Sequence, residues 1–190
     1  MDRASLAVTT VTAVLAATAG AAADSPARAE LGVLPLLSVT GDPNVQLALG
    51  AQGARVGLFL KVQLPQRLNV IAARSLFERG DELRVRWRGE TGAVVRVRPL
   101  RGRGLEVQGG IGHEGFELLP RDREAAPIVV ENWFVAAGAA YVVPLGARVY
   151  LRPGVSVVWL LSDDDYVVDG ITTRLRTGFV SPELFIGIAF

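Results

Sequence analysis

The stretch LRVRWRGETGAVVRVRP, residues 83–99, decides the fold class. Its even positions carry Arg84, Arg86, Arg88, Glu90, Gly92, Val94, Arg96 and Arg98. Its odd positions carry Leu83, Val85, Trp87, Gly89, Thr91, Ala93, Val95 and Val97. Side chains alternate between the two faces of a strand, so period 2 predicts one charged face and one apolar face. A helix would scatter the same arginines around its circumference.

Working outward, the same arithmetic recurs. Odd positions carry Trp133, Val135, Ala137, Ala139, Tyr141 and Val143 in one segment, and Val149, Leu151, Val155, Val157, Trp159 and Leu161 in the next. The last of these segments opposes its apolar positions with Arg148, Arg152 and Ser156. The C-terminal stretch puts Val180, Leu184, Ile186, Ile188 and Phe190 on even positions, against Ser181, Glu183, Gly187 and Ala189. Turn-forming clusters at Gly41–Asn44, Arg79–Asp81, 119–130 and 162–173 alternate along the chain with others at Pro65–Gln66, Arg101–Gly104 and Pro144–Gly146. Reading between them predicts eight strands, at 31–40, 45–63, 67–78, 83–99, 104–118, 131–143, 147–161 and 174–190. Within 45–63 the apolar parity changes near Ala51-Gln52-Gly53, which reads as a bulge at Gly53. The glycine-rich GGIGHEG stretch leaves its own register open.

The chain opens with Arg3, an apolar stretch from Leu6 to Ala19, and small residues through Ala21-Ala22-Ala23. This is the three-part pattern of a secretory signal peptide, residues 1–23, with an alternative cleavage after Ala29. Residues 24–190 then form one domain. Twenty Lys and Arg balance nineteen Asp and Glu, so no overall field recruits nucleic acid. With no cysteine in an exported chain, burial and hydrogen bonding must hold the fold. No stretch beyond the signal qualifies as a membrane helix. The uncharged run from Asn132 to Ala147 is too short and carries Gly138, Pro144 and Gly146.

Alternation fits both a soluble sandwich and a membrane barrel. Membrane strands need about 9–11 residues, and most of the expected segments reach that, whereas soluble strands cluster near 5–6. Trp133 and Tyr141 share a face eight residues apart. At ~3.3 Å per residue and a tilt near 40° that is roughly 20 Å along the axis, close to the ~25 Å band between two aromatic girdles. These features predict an all-β, antiparallel up-and-down transmembrane β-barrel of about eight strands. Trp87, Trp133, Tyr141, Trp159 and Phe190 are the expected girdle. The stretch ending PELFIGIAF would close the barrel onto the first strand, with both termini on the periplasmic side.

The cleavable signal, the eight alternating segments and the terminal Leu184, Ile186, Ile188, Phe190 pattern resemble the small eight-stranded outer-membrane β-barrel proteins of Gram-negative-type bacteria. That group includes OmpX, the OmpA membrane domain and OmpW. The resemblance implies residence in the bacterial outer membrane, in contact with its lipid and lipopolysaccharide. It also implies recognition of the C-terminal strand by the barrel-assembly machinery, and a monomeric, non-catalytic, porin-like role: envelope structure, surface binding through the 119–130 and 162–173 loops, or limited passage of small solutes. In such a narrow barrel the lumen is filled by side chains. Arg84, Arg86, Arg88, Arg96, Arg98, Arg148 and Arg152, with Arg174 and Arg176, are then expected inside, neutralised by Glu90, Glu106 and Glu183.

Catalysis has little to stand on. One histidine and no cysteine leave no zinc site. His113 with Glu114 and Ser156 or Ser162 is the one conceivable Ser-His-acid set, which would make the protein a lipid A-modifying enzyme. The other alternative is a periplasmic lipocalin-like barrel that turns its apolar comb inward around a ligand. Asp163, Asp164, Asp165 and Asp169 lack the order of a calcium loop, and Arg79-Gly80-Asp81 reads as an ordinary turn. No catalytic, cofactor-binding or metal-ligating residue is assigned, and no cofactor is expected.

Overall fold

The computed structural model describes residues 27–34, 44–100 and 104–190. The signal segment expected at 1–23 lies outside the described residues. Eight strands form a closed ring: β1 (Ala27–Val33), β2 (Val45–Gln52), β3 (Val56–Gln63), β5 (Leu83–Val97), β6 (Leu105–Pro120), β7 (Ile128–Tyr141), β9 (Val149–Leu160) and β12 (Gly178–Ala189). Each is antiparallel to the next, and β12 returns to β1 with Ile188 opposite Leu31. Two backbone hydrogen bonds between Ala29 and Phe190 complete the closure.

The connections divide the barrel into two ends. At the terminal end, where β1 starts and β12 stops, the links include residues 53–55, 98–100 and 142–148, the last with β8 (Val143–Pro144). At the opposite loop end, residues 64–82 contain β4 (Gln66–Leu68), the helix α1 (Val70–Leu76) and a 3-10 turn (Gly80–Glu82). Residues 161–177 there contain the hairpin β10 (Asp165–Val168) and β11 (Ile171–Arg174).

Two expected strands are corrected. The 45–63 segment is a hairpin, with Gln52 opposite Gly57, so the parity change at Gly53 marks a turn and not a bulge. The 67–78 segment is mainly α1. Asn69 caps it, its carboxamide oxygen accepting from the backbone N–H groups of Ile71 and Ala72 at 3.0 Å. The two errors cancel in the strand count. They also move Pro65–Gln66 from a short turn into the long 64–82 connection.

The decisive stretch changes face in its middle. Between Trp87 and Gly89 the register with β6 shifts, and Gly89 takes a φ of +104°. Below the shift Glu90, Gly92, Val94 and Arg96 face the lumen; above it Leu83, Val85 and Trp87 do, and Arg84, Arg86 and Arg88 face out. A Cβ on Gly89 would lie 2.5 Å from the Gln63 carbonyl oxygen, so only glycine fits both the dihedral and the space. Gly89→Val is expected to destabilise the barrel by about 1–3 kcal/mol, read as a lowered urea midpoint of tryptophan fluorescence for the refolded protein.

Candidate functional site: the barrel lumen and its ends

At the terminal end the lumen is crossed by a floor of charge. Arg96 Nη1 donates to Glu30 Oε2 at 2.7 Å, and its Nε lies 3.6 Å from Glu106 Oε1. Arg152 Nη1 reaches the same Glu106 oxygen at 3.4 Å, while Arg98 Nε reaches Glu106 Oε2 at 3.3 Å. Arg28 Nε is 2.9 Å from Glu30 Oε1. Glu30, Arg96, Glu106 and Arg152 are all at most 4% exposed. Aromatic faces back the guanidinium groups: Arg96 lies over Phe59 at 4.2 Å and Arg152 over Phe185 at 4.9 Å. These side chains come from β1, β3, β5, β6, β9 and β12, so the floor ties most of the ring together.

The loop end is filled by apolar packing. Trp87, Phe116, Val130 and Phe134 point inward from β5–β7 and meet Phe77 beyond α1 together with Val168 and Ile171 of the hairpin. Phe77 and Phe116 meet edge to face at 5.3 Å. Between floor and cap lies a cavity of ≈ 330 Å³. On its wall, Glu183 accepts from Gln108 Nε2 at 3.2 Å and from the Ser156 hydroxyl, and Lys61 Nζ pairs with Glu90 Oε1 at 2.5 Å. The inner wall is thinned by Gly92, Gly110 and Gly112; a Cβ on Gly112 would lie 2.4 Å from the Phe134 ring.

The outer surface inverts this arrangement. Leu47, Leu49, Leu60, Val155, Ile186 and Ile188 are exposed around the ring. Trp133 and Trp159 stand exposed toward the loop end of this belt, and Tyr141 and Phe190 toward the terminal end.

No protein-family model matches the chain, and no curated protein matches it in sequence. Solved structures do resemble it. A major outer membrane protein from Thermus thermophilus aligns with a TM-score of 0.56 at 14% identity, covering 88% of this chain and 100% of that one. The fold is that of an outer-membrane β-barrel. The N-terminal β-barrel domain of Pseudomonas aeruginosa OprF (TM-score 0.48, 12% identity, 86% of this chain and 97% of that one) and Neisserial surface protein A (TM-score 0.42, 11% identity, 86% and 92%) are more distant likenesses.

In this barrel the structure brings Arg96, Arg98, Glu106 and Arg152 together in the floor, with Glu90 and Glu183 on the cavity wall. It does not bring the other arginines there. Arg84, Arg86 and Arg88 face outward because the Gly89 shift reverses the strand above it; Arg86 and Arg88 lie 3.9 and 3.8 Å from Glu117 and Glu131. The same reversal turns Trp87 inward, only 6% exposed, so it is no girdle residue. Arg148 is exposed beside the 142–148 turn, Arg174 belongs to the loop hairpin, and Arg176 is exposed just beyond it. Arg28, Glu30 and Lys61 are lumen residues that sequence reasoning missed. The even parity of Arg28, Glu30 and Gly32 against Ala29, Leu31 and Val33 carried the signal for the first two, had the strand been started before residue 31.

The conceivable triad is not assembled. His113 points outward on β6, its ring 5.1 Å from Trp133, whereas Ser156 and Glu114 face the lumen. Ser162 is hydrogen-bonded to Asn132. Among the described residues no group of side chains could hold a metal ion. The acidic loop is matched by arginine: Arg174 bonds Asp165 at 2.8 Å and lies 3.6 Å from Asp163, and Arg123 pairs with Asp169. The Arg174 hydrogen bond holds the Asp165 carboxyl below its ordinary range.

Two expectations follow from these pairings. Glu106→Gln removes the carboxylate shared by three arginines and leaves Arg152 buried without it, which should cost about 3–5 kcal/mol in urea unfolding. Because the folded pKa of Asp165 is lowered, its support of the β10–β11 hairpin is complete above the ordinary value of ~3.9 and lost as pH falls through the folded value. A carboxyl-carbon NMR titration should put the Asp165 midpoint below that value and return it there in Arg174→Gln.

Proposed function

We propose that the protein is a monomeric, integral outer-membrane barrel with a non-catalytic role in the cell envelope, serving structure and surface binding through its loop end. The observation that carries this reading is the inversion of polarity across the wall. Large apolar side chains face out between two levels of aromatics, and the charges face in and pair. A soluble lipocalin-like barrel would expose this belt to water and carry an apolar patch far larger than soluble monomers tolerate. The charged floor and the apolar cap favour a structural or surface role over free passage of solutes.

The rest of the proposal completes this reading. The signal peptide is cut after Ala23, leaving β1 whole; cutting after Ala29 would remove Arg28 from the floor. Outer-membrane lipid and lipopolysaccharide surround the belt. The barrel-assembly machinery engages the C-terminal strand through Leu184, Ile186, Ile188 and Phe190, which share its outward parity.

The reading is tested on a washed outer-membrane fraction. The unboiled protein should migrate differently from the boiled protein in SDS, its mature N-terminus should be Asp24, and planar bilayers containing it should show no steady conductance. Recovery in the soluble periplasm with no heat-dependent shift would overturn the membrane reading. A stable conductance would overturn the closed lumen.

A further inference from the structure

The cavity between floor and cap is built like a ligand site. Its ≈ 330 Å³ falls at the lower end of the range of small-molecule pockets. Toward the loop end its wall is aromatic and aliphatic, from Trp87, Phe116 and Phe134 with Leu76 of α1. Toward the middle it is acidic. Glu90, Glu114 and Glu183 all line it, and Lys61, paired with Glu90, is the cation on this part of the wall. Arg96 and Arg152 also reach the cavity from the floor side, where they share Glu30 and Glu106 with Arg28 and Arg98.

A second observation points the same way. Gln46 and Gln66 are 3% and 4% exposed, and both line the cavity. The Gln46 side chain accepts from Gln63 Nε2 at 3.2 Å, yet its own Nε2 donor has no acceptor, and Gln66 Oε1 has no donor. Buried amide groups left without partners cost free energy. Here a donor and an acceptor are presented to a space that also has an aromatic wall and a local excess of carboxylate.

We infer that the lumen binds a small organic cation: an ammonium-bearing molecule with an apolar, preferably aromatic, body. The ammonium sits against the carboxyl groups of Glu114 and Glu90, which stand opposite each other on β6 and β5. The body packs beneath the cap against Trp87, Phe116 and Phe134, where ring faces favour a cation as well as apolar surface. Gln46 and Gln66 supply polar contacts that fix orientation. Anions are disfavoured by the same carboxylates, and neutral analogues of the same shape lack the ionic contact.

The test uses the full chain refolded in detergent in the presence of probe, so that entry to the lumen is not limiting. Trp133→Phe and Trp159→Phe are introduced to make Trp87 the reporter. Phenethylammonium should change Trp87 fluorescence saturably, with an affinity at least tenfold above that of 2-phenylethanol or 3-phenylpropanoate. Glu114→Gln should weaken the ammonium probe tenfold or more, and Glu90→Gln serves the same purpose if that variant does not fold. The SDS mobility shift of the same samples reports the barrel itself, so loss of fold and loss of binding are read separately. An unsaturable response common to all three probes, no response to phenethylammonium, or undiminished affinity in a folded carboxylate variant would overturn the inference.

Discussion

The residue that follows β12 and the third residue of β1 exchange two backbone hydrogen bonds, Phe190 N–H to Ala29 at 2.9 Å and Ala29 N–H to Phe190 at 3.3 Å. Everything else in the architecture depends on that closure. A sheet in hydrocarbon has no water to satisfy an open edge, so the ring must be complete before any strand is secure. Once it is complete, the two-residue period of each strand leaves every side chain only two destinations, the outer face or the lumen. A narrow ring then admits buried charge only where opposite charge is at hand, and Glu30 and Glu106 supply it for Arg28, Arg96, Arg98 and Arg152.

The lumen is consequently layered by chemistry. Guanidinium groups stacked on rings and paired with carboxylates occupy one end, small residues and an acidic wall the middle, and an apolar core the other end. Each layer solves a different problem. The floor pairs the charge that alternation delivers inward, four arginines sharing two glutamates. The glycines of β5 and β6 keep the wall thin where β6 passes the Phe134 ring. The cap lets the long 64–82 and 161–177 connections bury apolar surface of their own.

Much of this was legible in the sequence wherever alternation ran unbroken. β7, β9 and β12 kept a constant parity, and their outward Trp133, Tyr141 and Trp159, with Phe190 just beyond β12, were found by counting. Parity failed as a guide where the backbone changed it. At Gly53 a turn looked like a bulge, because a tight hairpin and an inserted residue both reverse the apolar comb. At Gly89 a real shift passed unnoticed, because charged and apolar residues continued to alternate across it. The arginines at 84, 86 and 88 were therefore assigned to the wrong face although Arg96 and Arg98 on the same strand were not. Helix α1 hid because seven residues are too few to establish a 3.6-residue period, and its N-cap Asn69 resembles any turn asparagine.

The reversal at Gly89 has a further bearing on how the protein meets its surroundings. Above Trp133, the sheet of β5, β6 and β7 continues with an outward face of Arg84, Arg86, Arg88, Glu117 and Glu131 and an inward face packed into the cap. What projects past the belt is thus hydrogen-bonded sheet clamped on its own core. An antibody or phage raised against this region would meet a fixed relief of charge and not a loop that must be ordered on contact, so recognition there incurs little entropy cost and a protease finds few extended segments to cleave.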